Sequence, residues 1–173
     1  MDNKELIKLF NKHVSVIGFK KTRNNVWYRK GEYVTEGVYL QKSMFGNHYY
    51  FRYGYVINEL DLDGYFCHID YKPAFLLREY SLIEKLFNLE VDISDIDRDL
   101  QLKKIIKTNL QSSNLDVPNS KEDLIEKIFI LNLYVNAKVM KHLNIGRKDD
   151  KYYRLWKQGT SRPVHRDMSS RCQ

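Results

Sequence analysis

Between Val26 and Asp70 the chain alternates apolar and polar residues in several short runs, and this pattern constrains the fold more than any other feature. The runs cover residues 26–29, 34–43, 48–58 and 65–70. The breaks between them contain glycine, asparagine or aspartate, which are the residues that turns require. Because parallel strands need a crossover of a dozen or more residues, such short connections predict a four-stranded antiparallel meander.

Helical periodicity flanks the predicted sheet on both sides. Residues 2–17 repeat apolar side chains every three or four positions, and residues 74–89 have similar spacing. Residues 94–110 and 121–143 each begin with a capping pattern, and the second is apolar almost all round, which indicates burial against more than one neighbour. The predicted fold class is therefore α+β, with an N-terminal helix, a four-stranded antiparallel sheet and C-terminal helices packed on the sheet.

With 173 residues, of which 43% are hydrophobic and 29% charged, the chain can bury a core of its own. We expect one domain over residues 1–158 and a flexible basic tail over residues 159–173. The sequence has two cysteines far apart, no signal-peptide pattern, and no apolar stretch long enough to cross a bilayer. These features predict a cytoplasmic protein that does not bind membranes.

Positive charge is concentrated at the two ends of the chain. Residues 1–30 contain eight Lys or Arg and two Asp or Glu, and residues 147–173 contain eight Lys or Arg and three Asp or Glu. The whole chain has a net charge of +7. Basic ends can mark an anionic partner such as nucleic acid. Solubility alone is the preferred explanation, since neither end contains a compact basic run.

Strand alternation divides the predicted sheet into two faces. The more apolar set, which includes Val38, Tyr53 and Cys67, is assigned to a core covered by helices. The other face mixes aromatic rings with Arg, Gln and His, which is unusual for a surface that contacts only solvent. Its candidate binding residues are Trp27, Arg29, Tyr39, Gln41, Tyr50, Arg52 and His68. Tyr28 is an alternative to Trp27, and a second core covered by helix 121–143 would explain the same pattern.

A series of short motifs runs through the first half of the chain. They are Gly18-Phe19-Lys20-Lys21, Trp27-Tyr28-Arg29, Leu40-Gln41-Lys42-Ser43 and Cys67-His68. Together they resemble DUF4304, a bacterial family catalogued as a domain of unknown function. The run Arg52-Tyr53-Gly54 departs from the asparagine-and-glycine ending that is usual in the third strand of that family. The resemblance implies no catalytic residues. Because some relatives look like components of bacterial toxin–immunity or defence loci, the resemblance implies a similar role for this chain.

The sequence contains none of the common motifs for catalysis or metal binding. It lacks a phosphate-binding glycine loop and a Gly-x-Ser-x-Gly elbow, and its histidines lack metal-site spacing. Residues 61–64 look like a plain turn, because the further ligands of a calcium loop are missing. Neighbours in a strand point to opposite faces, so Cys67 and His68 cannot form a thiolate–imidazolium pair. We therefore expect no metal and no cofactor.

Three functions are compatible with this pattern. The favoured one is a non-enzymatic protein-binding module, such as an immunity or defence-associated protein, because Tyr, Trp and Arg are enriched where binding energy concentrates. The second is a nucleic-acid binder that uses the basic ends and the sheet aromatics. The third is a small phosphate-ester enzyme that uses His68 and Arg52. In each case the seven candidate residues should lie near one sheet surface.

Overall fold

The computed structural model describes residues 1–23, 25–71, 78–111, 117–131 and 133–145. The predicted basic tail and the last part of the predicted domain lie outside these residues. Helix α1 covers Asn3–Val16, and the strands are β1 Lys20–Arg23, β2 Val26–Lys30, β3 Val34–Lys42, β4 Tyr49–Ile57 and β5 Ile69–Tyr71. The later helices are α2 Tyr80–Phe87, α3 Asp95–Asn109, α4 Lys121–Ile130 and α5 Ala137–Leu143.

The strands form one antiparallel sheet in the order β1-β2-β3-β4-β5. The α+β class, the N-terminal helix and the antiparallel sheet are confirmed, but the described sheet has five strands instead of four. The additional strand, β1, pairs with β2 at the edge, and its side chains are all exposed. A strand without a buried side has no apolar alternation, so the sequence pattern could not reveal it.

Helix α1 covers one side of the sheet and begins with a capping box. The Asp2 carboxylate accepts the Glu5 N–H at 2.8 Å, and the Glu5 carboxylate accepts the Asp2 N–H at 2.6 Å. The helix buries Phe10, whose ring centroid lies 4.8 Å from that of Trp27 and 5.7 Å from that of Phe87. The core therefore lies between the sheet and the helices on this side.

The predicted strand over residues 65–70 is wrong for most of its length, because β5 begins only at Ile69. The chain before it turns at Asp63 and Gly64, which have left-handed φ values of 48° and 85°. The turn is held by Lys138, whose Nζ lies 2.9 Å from the Asp61 carbonyl oxygen and 2.5 Å from Asp63 Oδ2. The oxygen atoms of this turn therefore bind the ammonium group of Lys138.

The single helix predicted over residues 121–143 is also wrong, because α4 ends at Ile130 and α5 begins at Ala137. The Asn136 side chain accepts the Val139 N–H at 2.9 Å and so starts a new helix. The prediction that this segment is buried against more than one neighbour is also wrong here, because Ile130 is 71% exposed and Tyr134 is 86% exposed.

A buried ion pair links β2 to β3 on the core side. Arg29 donates from Nε and Nη2 to the two carboxylate oxygens of Glu36, at 2.7 and 2.8 Å. The Tyr53 hydroxyl donates to Glu36 Oε1 at 2.6 Å, and Arg29 Nη1 donates to the Ile17 carbonyl at 2.9 Å. Burial, together with the Glu36 charge, raises the pKa of Tyr53 well above its usual value. The tyrosine therefore stays protonated and continues to donate.

Replacing Glu36 by alanine should leave the buried Arg29 charge without its counter-ion. We expect Glu36→Ala to lower the free energy of unfolding by about 3–5 kcal/mol, measured by urea denaturation. The exposed Glu32 provides a control, since Glu32→Ala should change stability by less than about 0.5 kcal/mol. Similar stabilities for the two variants would contradict a structural role for the ion pair.

A second polar contact joins α1 to α3. His13 Nε2 lies 2.6 Å from Asp99 Oδ1, and Lys12 Nζ lies 3.5 Å from both carboxylate oxygens. The hydrogen bond from His13 is the main cause that lowers the pKa of Asp99, with a further contribution from Lys12. Because the folded-state pKa is depressed, the pair stabilises the fold above the pKa of the unfolded chain and loses this effect as the pH falls through the folded value.

Asp99→Asn should therefore weaken the acid dependence of stability. We expect the wild-type protein to lose stability below about pH 4, and the variant to be less stable at neutral pH with a shallower loss in acid. Urea denaturation at a series of pH values measures both effects. The matched control is Asp92→Asn, at an exposed aspartate for which no described residue provides a side-chain partner. An unchanged acid slope in Asp99→Asn would refute the linkage.

Candidate binding surface

The strand register places the candidate residues on two different faces. Tyr39 pairs with Arg52 and Gln41 pairs with Tyr50, so these four side chains share the face opposite the main core. Trp27 pairs with Val38 on the core side. The prediction of one common surface is thus correct for Tyr39, Gln41, Tyr50 and Arg52.

Trp27 and Arg29 lie on the core side, where the prediction did not place them. The Trp27 side chain is fully buried, and its Nε1–H donates to Asn11 Oδ1 at 2.8 Å. Arg29 is directed inward because Glu36, on the neighbouring strand, supplies its counter-ion. The adjacent residue in β2, Tyr28, which was the alternative to Trp27, lies on the second face instead.

His68 is buried at the end of the loop and does not contribute to an open surface. Its Nδ1 accepts the Ile57 N–H at 2.9 Å. The other ring nitrogen, Nε2, therefore carries the proton and donates to the Asp61 carbonyl at 2.9 Å. Both nitrogens are engaged by the backbone, so neither is available to transfer a proton to a substrate.

The loop before β5 covers part of the second face. Gly37 and Gly54 are paired at its centre, and a Cβ on Gly54 would lie only 2.6 Å from Cys67 Sγ. Phe66 packs beside Gly37, and its carbonyl accepts the Tyr28 hydroxyl at 2.7 Å. The core position predicted for Cys67 is wrong, because the missing strand pairing leaves it on the loop over this face.

The position of Cys67 also determines its chemistry. Burial is the main cause that raises the pKa of its thiol to about 12. The thiol therefore remains protonated at physiological pH, and Cys67 acts as a packing residue over Gly54 instead of a nucleophile.

The part of the second face that the loop leaves open is organised around Arg52. Its guanidinium forms an ion pair with Asp70 and donates from Nη1 to Gln41 Oε1 at 3.2 Å. It also lies over the Phe66 ring, 5.7 Å from the centroid, and the Tyr39 ring lies 5.5 Å from the same ring. The Arg52 side chain remains 39% exposed. These contacts hold an accessible arginine among aromatic rings.

The tip of the β3–β4 hairpin extends this open area and was missed by the sequence analysis. Met44 and Phe45 are 89% and 91% exposed. The tip is fixed to the protein, because the Asn47 N–H donates to Glu90 Oε1 at 2.7 Å and the Leu89 N–H donates to the Asn47 carbonyl at 2.9 Å. A signal was available, since two large apolar residues are unusual in so short a turn.

His48 and Tyr50 connect the tip to Arg52 along the hairpin. His48 Nε2 lies 3.0 Å from the Tyr50 hydroxyl, and the two rings meet edge to face at 5.0 Å. We refer to this set as the hairpin surface, and its members are Tyr39, Gln41, Met44, Phe45, His48, Tyr50 and Arg52.

Residues 10–129 match a family model described as a domain of unknown function, DUF4304. The chain belongs to the DUF4304 family. The match contains the whole sheet and the hairpin surface, so both are parts of the family domain. No curated protein and no solved structure matches the chain.

Across the part of the chain that the structure describes, no helix is both long and apolar enough to span a bilayer. Within the same residues, no three His, Cys, Asp or Glu side chains are grouped in a way that could hold a metal ion. The hairpin surface is a candidate binding site of the DUF4304 domain because it combines an exposed apolar tip with an accessible arginine.

His68→Ala should affect stability, because it leaves the buried Ile57 N–H without an acceptor. We expect the free energy of unfolding to fall by about 1–3 kcal/mol in urea denaturation at neutral pH. His48 lies on the hairpin, where its ring bonds an exposed hydroxyl, and His48→Ala should cost less than about 0.5 kcal/mol. Equal stability of the two variants would show that the buried hydrogen bond contributes nothing.

Proposed function

We propose that this DUF4304 domain is a non-enzymatic protein-binding module and that the hairpin surface is its contact site. The observation that carries this proposal is the exposure of Met44 and Phe45 on a tip held in place by hydrogen bonds. Because the backbone of the tip is already held in place, a partner that encloses these side chains has less chain entropy to overcome. Tyr50 and Arg52 beside the tip belong to the residue types that dominate binding energy in protein interfaces.

The electrostatics of the hairpin surface favour a protein partner over nucleic acid. Arg52 is neutralised by Asp70, so its charge is already paired. Affinity for nucleic acid comes mainly from cations that are free to neutralise phosphates. The exposed ring of Phe45 could stack on a base as well as enter an apolar pocket, so the paired charge of Arg52 is what favours a protein partner here. Because both ring nitrogens of His68 bond the backbone, we also do not propose a phosphate-ester enzyme that uses His68 and Arg52.

The partner in this proposal is a cytoplasmic protein with a concave apolar pocket. A toxin or another defence component, as implied by the family resemblance, is one such partner. An immunity role would require the hairpin surface to block an essential part of the toxin.

A photo-crosslinking amino acid at position 45 tests the proposal in the source cell. We expect it to yield a discrete protein adduct, because Phe45 would lie inside the partner pocket. The same probe at Tyr134, which is 86% exposed, provides the control and should yield no such adduct. Equal adducts from both positions, or an adduct that a nuclease removes, would refute protein binding through the hairpin surface.

Once the adduct has identified the partner, affinity measurements can test the individual side chains. Phe45→Ala and Tyr50→Ala should each weaken binding by about thirtyfold, the effect of losing a contact worth roughly 2 kcal/mol. Tyr134→Ala should leave the affinity unchanged. Since Phe45 is almost fully exposed, its replacement should not alter stability, so lost binding would not result from unfolding.

A further inference from the structure

We propose that the DUF4304 domain has a second site, a groove between α1 and the β1–β2 hairpin that binds the phosphate chain of a small polyphosphate ligand. The groove is open, has a volume of about 500 Å³ and lies on the core side of the sheet. Its lining residues are Asn3, Lys4, Ile7, Lys8, Asn11, Lys21, Asn25 and Tyr49. None of these belongs to the hairpin surface, so this site is independent of the proposed protein contact.

Three lysines line the groove, and none of its described lining residues carries a carboxylate. Lys4 and Lys8 are four residues apart on α1 and therefore lie on the same side of the helix, while Lys21 reaches the groove from β1. No described residue forms an ion pair with any of the three, although the Lys21 ammonium lies 5.6 Å from the Trp27 ring centroid. The nearby carboxylates of Asp2 and Glu5 are engaged in the capping box. Both carboxylates keep their negative charge, and the Glu5 N–H together with Lys4 lowers the pKa of Asp2, so the positive charge of the groove is partly offset at its Lys4 end.

The two amide side chains that matter here have their oxygen atoms turned to the protein. Asn11 Oδ1 accepts the Trp27 indole N–H at 2.8 Å, and because an indole nitrogen can only donate, the Asn11 amide cannot be reversed. Asn3 Oδ1 accepts the Tyr49 hydroxyl at 3.0 Å. Neither amide nitrogen has an acceptor among the described residues. With its oxygens occupied, the groove offers N–H donors to a ligand, as a multiply charged anion requires.

The residues that line the groove favour binding of a compact polyphosphate over binding of a nucleic-acid strand. Proteins that bind single strands stack the bases on exposed aromatic rings. The rings at this groove are Tyr49, which is 6% exposed, and Trp27, which is fully buried. Bases would find no stacking surface here, whereas a phosphate chain needs only the amines and amides.

Titration with tripolyphosphate at low ionic strength tests this site. We expect saturable binding, with shifts of the Asn3 and Asn11 side-chain amide signals and of the Trp27 indole signal in NMR spectra. The decisive variant is Asn11→Asp, which keeps an oxygen for the Trp27 indole N–H but places a second oxygen where the amide donor was. It should weaken binding by at least about tenfold, because a charge-assisted hydrogen bond is lost and an anion is added.

Charge-matched triple variants distinguish this groove from general attraction to a basic protein. Lys4→Gln/Lys8→Gln/Lys21→Gln should abolish measurable binding. The control, Lys103→Gln/Lys104→Gln/Lys107→Gln, removes the same charge from exposed positions on α3 and should retain affinity within about threefold, apart from long-range attraction that salt screens. Equal losses in the two triples, wild-type affinity in Asn11→Asp, or binding of single-stranded DNA but not of tripolyphosphate would each overturn the proposal.

Discussion

The register between β3 and β4 is the constraint on which the described surfaces of this domain depend. It sets Val38 opposite Tyr53 and Tyr39 opposite Arg52, so that neighbouring pairs along the hairpin alternate between the core and the second face. A shift of one residue would expose Tyr53 and bury Arg52. The bond from Tyr53 to Glu36, together with the ion pair from Glu36 to Arg29, disfavours that shift, because it would break a buried charge network.

The pair of glycines in this register decides how much of the second face is open. Gly37 and Gly54 leave a shallow area in which Phe66 and Cys67 can rest directly on the backbone of the sheet. The loop is held there by Lys138 at its turn and by His68 at its end. Beyond the glycines the strands carry full side chains and the hairpin extends past the loop. The hairpin surface is therefore the part of β3 and β4 on this face that lies beyond the loop.

Much of this arrangement was predictable because it is local. The period of two in β3 and β4 spans nine residues in each strand, enough to assign their faces, and Ser94 was identified as a helix cap from three neighbouring positions. Trp27 and Arg29 were misplaced because β2 has only five residues, and because a charged residue reads as outward-facing until its counter-ion, Glu36, is known. The apolar residues of the hairpin tip were visible in the sequence, but its anchoring was not, because that depends on contacts with Leu89 and Glu90, far away in the sequence.

The two proposed sites differ in the origin of their rigidity, and this difference suggests how they can act independently. The hairpin tip is fixed by hydrogen bonds from the backbone of Asn47 to Leu89 and Glu90 after α2, whereas the groove is fixed by side-chain bonds from Trp27 and Tyr49 to α1. Trp27 also packs on Phe10 in the core, so the groove is anchored to the most buried part of the domain. A ligand there would contact preformed donors and would need no movement of the sheet. Occupancy of one site therefore need not alter the other, because neither depends on a contact that the other uses.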